Sequence, residues 1–106
     1  MNGDFAVRYT DSAREDLLRL FDFLLLGAET VEALDAAQLA VDTIRTQIEH
    51  QLGSTPFSFR KQGQSPFLRE LLIPFRGAGY VALYEIGSGD TVTVLAVRHQ
   101  LEDDYN

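Results

Sequence analysis

Three residues near the C-terminus have side chains that could take part in catalysis: Arg98, His99 and Tyr105. A histidine serves as a general acid or base near neutral pH, and an arginine holds a phosphate or a carboxylate. The structural alternative is that Arg98 pairs with Glu102 or Asp103, while His99 ends a strand with a hydrogen bond. We favour the structural alternative and keep the three residues as candidates for catalysis.

Metal and disulfide chemistry have little support in the composition. The chain has no cysteine, and its two histidines, His50 and His99, lie far apart without a repeated carboxylate spacing. Structural metal sites need several closely spaced ligands. His50 is expected to face water at the end of a helix. We therefore expect no metal, no disulfide and no cofactor.

The stretch from 67 to 105 is predicted to form three consecutive strands, the last of which carries Arg98 and His99. Segments 80–86 and 91–97 are rich in β-branched and aromatic residues. Glycines at the two junctions supply the positive backbone angles that tight reversals need. The residues on one face of the first strand, at period two, are Arg69, Leu71, Ile73 and Phe75. The pattern indicates an antiparallel meander.

The N-terminal half is predicted to form a short strand at 5–10 followed by an amphipathic helix. Asp11 or Ser12 is expected to cap this helix, and Glu15 stands three residues after Ser12, as a capping box requires. The helix is expected to run to about residue 26 and to end at Gly27.

A second helix is expected to begin at Thr30, and a break near residues 34–35 is one alternative. Its apolar seam consists of Leu34, Ala37, Val41, Ile44, Ile48 and Leu52. Two amphipathic helices joined by a short link indicate an antiparallel hairpin. We predict a single domain over 1–106 in the α+β class, with the helical hairpin packed on a mainly antiparallel sheet in the order β-α-α-β-β-β.

The charge distribution favours a charged protein partner over nucleic acid. The net charge is −7, and residues 1–52 contain ten acidic and four basic residues. Proteins that hold nucleic acid through its phosphates are usually basic. We expect no direct nucleic-acid binding. No apolar run approaches a membrane span and no signal peptide is evident, so a cytoplasmic location without membrane contact is expected.

Four segments of the sequence resemble a known family, and they are spread over nearly the whole chain. They are YTDSARED at 9–16, LRELLIPF at 68–75, GYVALY at 79–84 and VLAVRHQ at 94–100. With the order of the elements, these segments resemble the RelE/ParE superfamily of bacterial toxins from type II toxin–antitoxin modules. The last three are similar to ParE-type members, some of which are labelled plasmid stabilisation proteins.

The resemblance implies a toxin neutralised by a cognate, ParD-like antitoxin in a hetero-oligomeric complex. ParE-type toxins are associated with inhibition of DNA gyrase, and RelE-type toxins with ribosome-dependent cleavage of messenger RNA. In the RelE pattern an arginine follows the Gly-Tyr of the central strand, whereas Val81 follows Tyr80 here. The acidic run 102–104 would also repel a phosphate. We therefore expect a binding toxin rather than an enzyme, and keep the endoribonuclease and a non-toxic member acting only in complex formation as alternatives.

Five residues are candidates for partner binding. Leu18, Phe23 and Leu25 lie off the main apolar stripe of the first helix, and an antitoxin helix would cover them. Arg69 and Arg76, on the first meander strand and its turn, would bind acidic residues of a partner. The alternative for the two arginines is ordinary solvated charge at a sheet edge.

Overall fold

The computed structural model describes residues 5–100. Its elements are β1 (Ala6–Tyr9), α1 (Asp11–Leu26), α2 (Val31–Ser54), β2 (Arg60–Lys61), β3 (Leu68–Phe75), β4 (Ala78–Gly87) and β5 (Thr91–His99), with one 3-10 turn at Pro56–Ser58. The sheet order is β1-β5-β4-β3-β2, and only the β1–β5 pair is parallel. The predicted α+β hairpin-on-sheet fold is confirmed, and the structure adds the two-residue edge strand β2.

One face of the sheet carries the core, and both helices lie on it. Buried side chains from β3, β4 and β5 pack against Ile44, Ile48 and Leu52 of α2. From α1, Ala13, Leu17 and Leu20 complete this layer. Among the described residues, no helix has the length and apolar character needed to cross a membrane.

The second helix is continuous through residues 34–35, so the alternative of a break there does not hold. The expectation that Leu34 belongs to the core is wrong, because its side chain is 46% exposed. Leu34 stands seven residues before Val41, so helical periodicity places it on the flank of α2 that turns toward α1. The buried row is instead Ala37, Ala40, Ile44, Ile48 and Leu52.

Helix α1 covers the edge of β5 beyond the short strand β1. The register of β4 and β5 shifts between Leu83 and Tyr84, and there β5 carries one extra residue, Leu95. Past that bulge, Asp16 Oδ2 accepts a hydrogen bond from the Val97 N–H at 2.8 Å, and Arg19 Nη2 donates to the Val97 carbonyl at 3.3 Å. Side chains of α1 thereby satisfy backbone groups that another strand would otherwise pair.

The cap of α1 differs from the expectation. Thr10 is the N-cap, and its Oγ1 accepts from the Ala13 N–H at 3.0 Å. Asp11 and Ser12 already lie inside the helix and are exposed. The Thr10 N–H donates to the Val94 carbonyl at 3.0 Å, which extends the β1–β5 ladder by one residue. The helix therefore begins directly after Thr10, one or two residues earlier than predicted.

Replacing Thr10 with alanine is expected to lower the free energy of unfolding by about 1–2 kcal/mol. The change removes the cap and the 3.2 Å hydrogen bond that Thr10 Oγ1 donates to the Leu95 carbonyl. Ser12→Ala is the matched control and should stay within about 0.5 kcal/mol of the parent. Urea unfolding followed by circular dichroism measures both. An equal loss of unfolding free energy in Thr10→Ala and Ser12→Ala would contradict the assignment of Thr10 as the cap.

Tyr84 ties the 3-10 turn to the centre of the sheet. Its side chain is fully buried, and its hydroxyl donates a hydrogen bond to the Pro56 carbonyl. Burial raises the pKa of Tyr84 from 10.0 to about 12, and the nearby positive charge of Arg69 offsets part of this rise. The buried phenol is therefore held in its neutral form.

This raised pKa predicts a loss of stability in alkaline solution. Between pH 10 and about 12 the folded protein keeps the Tyr84 proton, whereas the unfolded chain has lost it. The contribution of Tyr84 to the free energy of unfolding is therefore fully present below pH 10. About 2–3 kcal/mol of that contribution is lost as the pH rises to about 12. Tyr84→Phe should flatten that part of the profile, although it costs about 1 kcal/mol at neutral pH. Identical alkaline slopes for parent and variant would contradict the assignment.

Candidate partner-binding groove

Two rows of side chains face each other between the antiparallel helices. The residues that line a common cleft are Arg14, Leu18 and Phe21 of α1 and Gln38, Val41 and Arg45 of α2. Helical spacing continues the two rows to Leu25 and Leu34. Both rows step by four, three and four residues, so each follows one face of its helix. Because the helices are antiparallel, Leu25 and Leu34 stand at the hairpin end, and Arg14 and Arg45 at the opposite end.

An open groove of about 440 Å³ lies between the two rows. We call it the interhelical groove, and the residues lining it are Tyr9, Arg14, Leu17, Leu18, Phe21, Gln38, Val41 and Arg45. Leu18 is 64% exposed and lies beside this partly apolar cleft, so it adds apolar surface at the rim of the groove. The groove has the shape and surface that receive the apolar stripe of a helix.

Tyr9 closes the far end of the groove. Its hydroxyl donates a hydrogen bond to Glu49 Oε2 at 3.3 Å. Burial, and then the charge and hydrogen bond of Glu49, raise the pKa of Tyr9 above its usual range, while the charge of Arg45 acts in the opposite direction. Tyr9 is therefore a neutral hydroxyl group that is hydrogen-bonded to Glu49 and lies near the charge of Arg45.

The structure places Phe23 away from the interhelical groove. Phe23 is 66% exposed and lines a separate open pocket at the hairpin end, together with Leu26, which is 84% exposed. Of the three predicted apolar residues, Leu18 lines the groove and the half-buried Leu25 continues its α1 row. Phe23 serves a different surface because it lies on the other flank of α1.

Arg69 is engaged inside the chain. Its Nε donates to the Pro66 carbonyl at 2.7 Å, and its Nη1 donates to the carbonyls of Phe57 and Phe59 at 3.0 and 2.7 Å. The guanidinium also lies 5.4 Å from the centre of the Phe57 ring, within cation–π range. The side chain thus holds the segment after α2 against β3.

Arg76 is placed differently, at the exposed tip of the β3–β4 hairpin. Its φ is 47° and that of Gly77 is 78°, so both central residues of the turn are left-handed. An arginine is uncommon in that conformation. Its guanidinium lies 5.3 Å from the centre of the Phe75 ring, and Arg76 borders a cleft of about 270 Å³ between α2 and the hairpin.

The structure separates the side chains of Arg98 and His99. Arg98 pairs with Val81 and His99 with Tyr80, so the two side chains project from opposite faces of the sheet. The His99 ring packs edge-on against the buried Tyr80 ring, with centres 5.4 Å apart. Arg98 Nη1 donates to the carbonyls of His99 and Gln100, each at 3.2 Å. Tyr105, the third catalytic candidate, lies outside the described residues, as do Glu102 and Asp103.

Sequence reasoning missed most of the residues that line the groove, including Arg14, Phe21, Val41 and Arg45. The available signal was the matching four-three-four spacing on the two helices, with an arginine at one end of each row. His50 is exposed on α2, as expected. Within residues 5–100 no three histidine or carboxylate side chains are grouped closely enough to hold a metal ion.

Comparisons with known proteins agree with this architecture. The family model described as the ParE toxin of the type II toxin–antitoxin system, parDE, matches residues 7–104. A solved chain of the chromosomal ParDE system from P. aeruginosa is similar with a TM-score of 0.69 and 17% identity, over 92% of this chain and 97% of that one.

A chain of the toxin–antitoxin complex RelBE2 from Mycobacterium tuberculosis is also similar, with a TM-score of 0.54 and 22% identity. That match covers 93% of this chain and 94% of the other. At these identities the two structures establish a shared fold. No curated protein matches the chain.

Proposed function

The chain belongs to the ParE toxin family of type II toxin–antitoxin systems, and we propose that a cognate antitoxin neutralises it by covering the interhelical groove. We further propose that the free toxin acts in the cytoplasm by binding and inhibiting DNA gyrase, without catalysis of its own. The observation that carries the antitoxin proposal is the groove, which leaves Leu18 64% exposed beside apolar walls.

Two independent features support an antitoxin as the occupant. Both solved relatives come from systems named for a toxin with its antitoxin, ParDE and RelBE2. An apolar cleft between two helices accepts one face of an amphipathic segment, the binding mode in which disordered antitoxin tails would fold on their target. Leu18 and Leu25 are the anchoring contacts in this proposal. Phe23 and Arg76 lie on neighbouring surfaces that a longer tail would reach.

Gyrase as the target is supported by membership of the ParE family, because ParE-type toxins are associated with gyrase inhibition. The placement of Arg98 and His99 supports binding over catalysis. General acid–base cleavage of RNA requires both groups at one scissile phosphate, and side chains on opposite faces of a strand do not converge there. The negative net charge of −7 also opposes close approach to RNA.

Controlled expression of the chain in bacteria without a partner tests the proposed activity. Growth, plasmid supercoiling and transcript integrity are followed together, and purified protein is added to a gyrase supercoiling assay. We expect growth arrest, altered supercoiling and intact transcripts, with arrest relieved by co-expression of the cognate antitoxin, which we expect the gene beside this one to encode. His99→Ala should leave the arrest unchanged, because the proposed activity needs no general acid or base.

Two outcomes would overturn parts of this proposal. Transcripts cut during translation, with cutting abolished in the His99→Ala variant, would establish the ribonuclease and exclude gyrase as the primary target. Absence of arrest from folded protein, together with no inhibition of gyrase in vitro, would leave a family member that acts only in complex formation.

A further inference from the structure

The interhelical groove has a basic end within an acidic half of the chain. Residues 1–52 contain ten acidic residues and four basic ones, Arg8, Arg14, Arg19 and Arg45. Two of these four line the groove, and none of the described residues lining it is acidic. The other two serve elsewhere: Arg19 Nη2 bonds the Val97 carbonyl, and Arg8 lies on β1. The side chains that line the groove therefore carry a net positive charge within an acidic half of the chain, and Asp11 and Glu49 lie beside them as partners of Arg14 and Tyr9.

We propose that the partner segment in this groove is an acidic amphipathic segment that places a carboxylate between Arg14 and Arg45. Its apolar residues lie against Leu18, Phe21 and Val41. The inference rests on the proposed function, because it takes the antitoxin as the occupant, and it adds the chemistry and the orientation of the bound segment.

Both arginines are available to a partner at little cost. Within residues 5–100, the Arg45 guanidinium has no carboxylate in ion-pair contact. Arg14 contacts Asp11 at 3.2 Å, but the two side chains are 65% and 93% exposed, so solvent screens the pair. Glu49 is engaged by the Tyr9 hydroxyl at the same end of the groove. A bound partner segment would exclude water from this end of the groove, and the attraction between its carboxylate and the two arginines would then be stronger than in open solvent.

The groove also has a direction. From the hairpin end the two rows present Leu25 and Leu34, and at the opposite end they present Arg14 and Arg45. A segment with apolar and acidic parts in sequence fits in one orientation, since reversal would place a carboxylate among apolar side chains. Burying an unpaired charge there is strongly unfavourable. If the segment is helical, the negative end of its dipole also belongs beside the arginines.

The test measures binding of the protein encoded beside this gene to purified Arg14→Gln, Arg45→Gln and double variants. Affinities are taken between about 0.05 and 0.5 M NaCl, over which screening of exposed charges increases severalfold. We expect each single variant to bind roughly tenfold more weakly at low salt, and the double variant to lose most of the salt dependence. Arg8→Gln, an exposed arginine on β1, is the matched control and should bind as the parent does.

A charge exchange sharpens the test. Arg45→Glu should abolish binding at low salt, and replacing the acidic residues of the neighbouring protein's tail one at a time with arginine should restore it at one position. If the Arg14 and Arg45 variants bind as the parent does, the proposal that an acidic residue of the partner lies between these two arginines is wrong. If Leu18→Asp nevertheless weakens binding, the groove still receives the antitoxin. If Leu18→Asp also binds normally, the proposed docking site itself fails. Self-association of this chain through the groove, detected by light scattering and removed by Leu18→Asp, would overturn both the acidic segment and the antitoxin docking site.

Discussion

Replacing Arg69 with alanine is expected to lower the free energy of unfolding by about 2–3 kcal/mol. The change removes three hydrogen bonds from a cation to main-chain carbonyls. It also removes the contact with the Phe57 ring, which itself packs edge-on against Phe67 at 6.3 Å. Without Arg69 the carbonyls of residues 57, 59 and 66 must find water.

Two matched variants show whether the lost hydrogen bonds or the lost charge causes the destabilisation of Arg69→Ala. Arg76→Ala removes the same charge from the other end of β3 and should change stability by less than about 0.5 kcal/mol, because Arg76 is exposed. Arg69→Lys should recover only part of the loss, since an ammonium lacks the planar fork that spans several carbonyls. Thermal and urea unfolding measure all three variants. A fully stable Arg69→Ala protein would show that the segment after α2 is held by other contacts and would return Arg69 to the partner-binding candidates.

Arg69 shows why part of the site could not be predicted from sequence. Alternation placed it on one face of β3 with Leu71 and Ile73, and only the structure shows that this face carries the core. Its hydrogen-bond partners, however, are backbone carbonyls of an irregular segment, and backbone carbonyls have no signature in the residue types. A solvated arginine and a half-buried arginine that bonds several carbonyls therefore cannot be told apart from sequence until the path of the backbone is known.

The elements themselves were predictable because their signals are local. Periodicity, β-branched runs and the glycines of the turns gave both helices and the three-strand meander nearly to the residue. The cap of α1 was not predictable in this way, since Thr10, Asp11 and Ser12 are all acceptable caps. Thr10 becomes the cap because the parallel pairing of β1 with β5 continues to its N–H and keeps its backbone extended. That pairing joins residues more than 80 positions apart.

Leu34 shows the same limit for the core. Its spacing fits the apolar seam of α2, yet the seam turns partly toward the sheet and partly toward α1. Only the packed structure tells which positions the sheet covers. The two facing rows that form the interhelical groove become visible once the helices are known to be antiparallel neighbours, and that knowledge separates Leu18 from Phe23.

Replacing Leu18 with aspartate is expected to weaken antitoxin binding by about thirtyfold or more, because truncating a central hot-spot residue costs about 2 kcal/mol or more. The new carboxylate would lie against apolar side chains and would also repel an acidic partner. Stability should change little, since Leu18 is 64% exposed. Binding to the neighbouring gene's product, measured by titration calorimetry, gives the affinity. Growth under co-expression then shows whether neutralisation is lost while toxicity of the free chain persists.

Leu39→Asp provides the control for this experiment. Leu39 is 45% exposed on α2 and does not line the groove, so the substitution has the same helix propensity cost and the same added charge. It should leave affinity and neutralisation unchanged. Equal weakening by the two variants would mean that net charge, rather than the groove, governs binding. Loss of toxicity together with neutralisation in Leu18→Asp alone would mean that target and antitoxin share this surface, so that neutralisation works by direct competition.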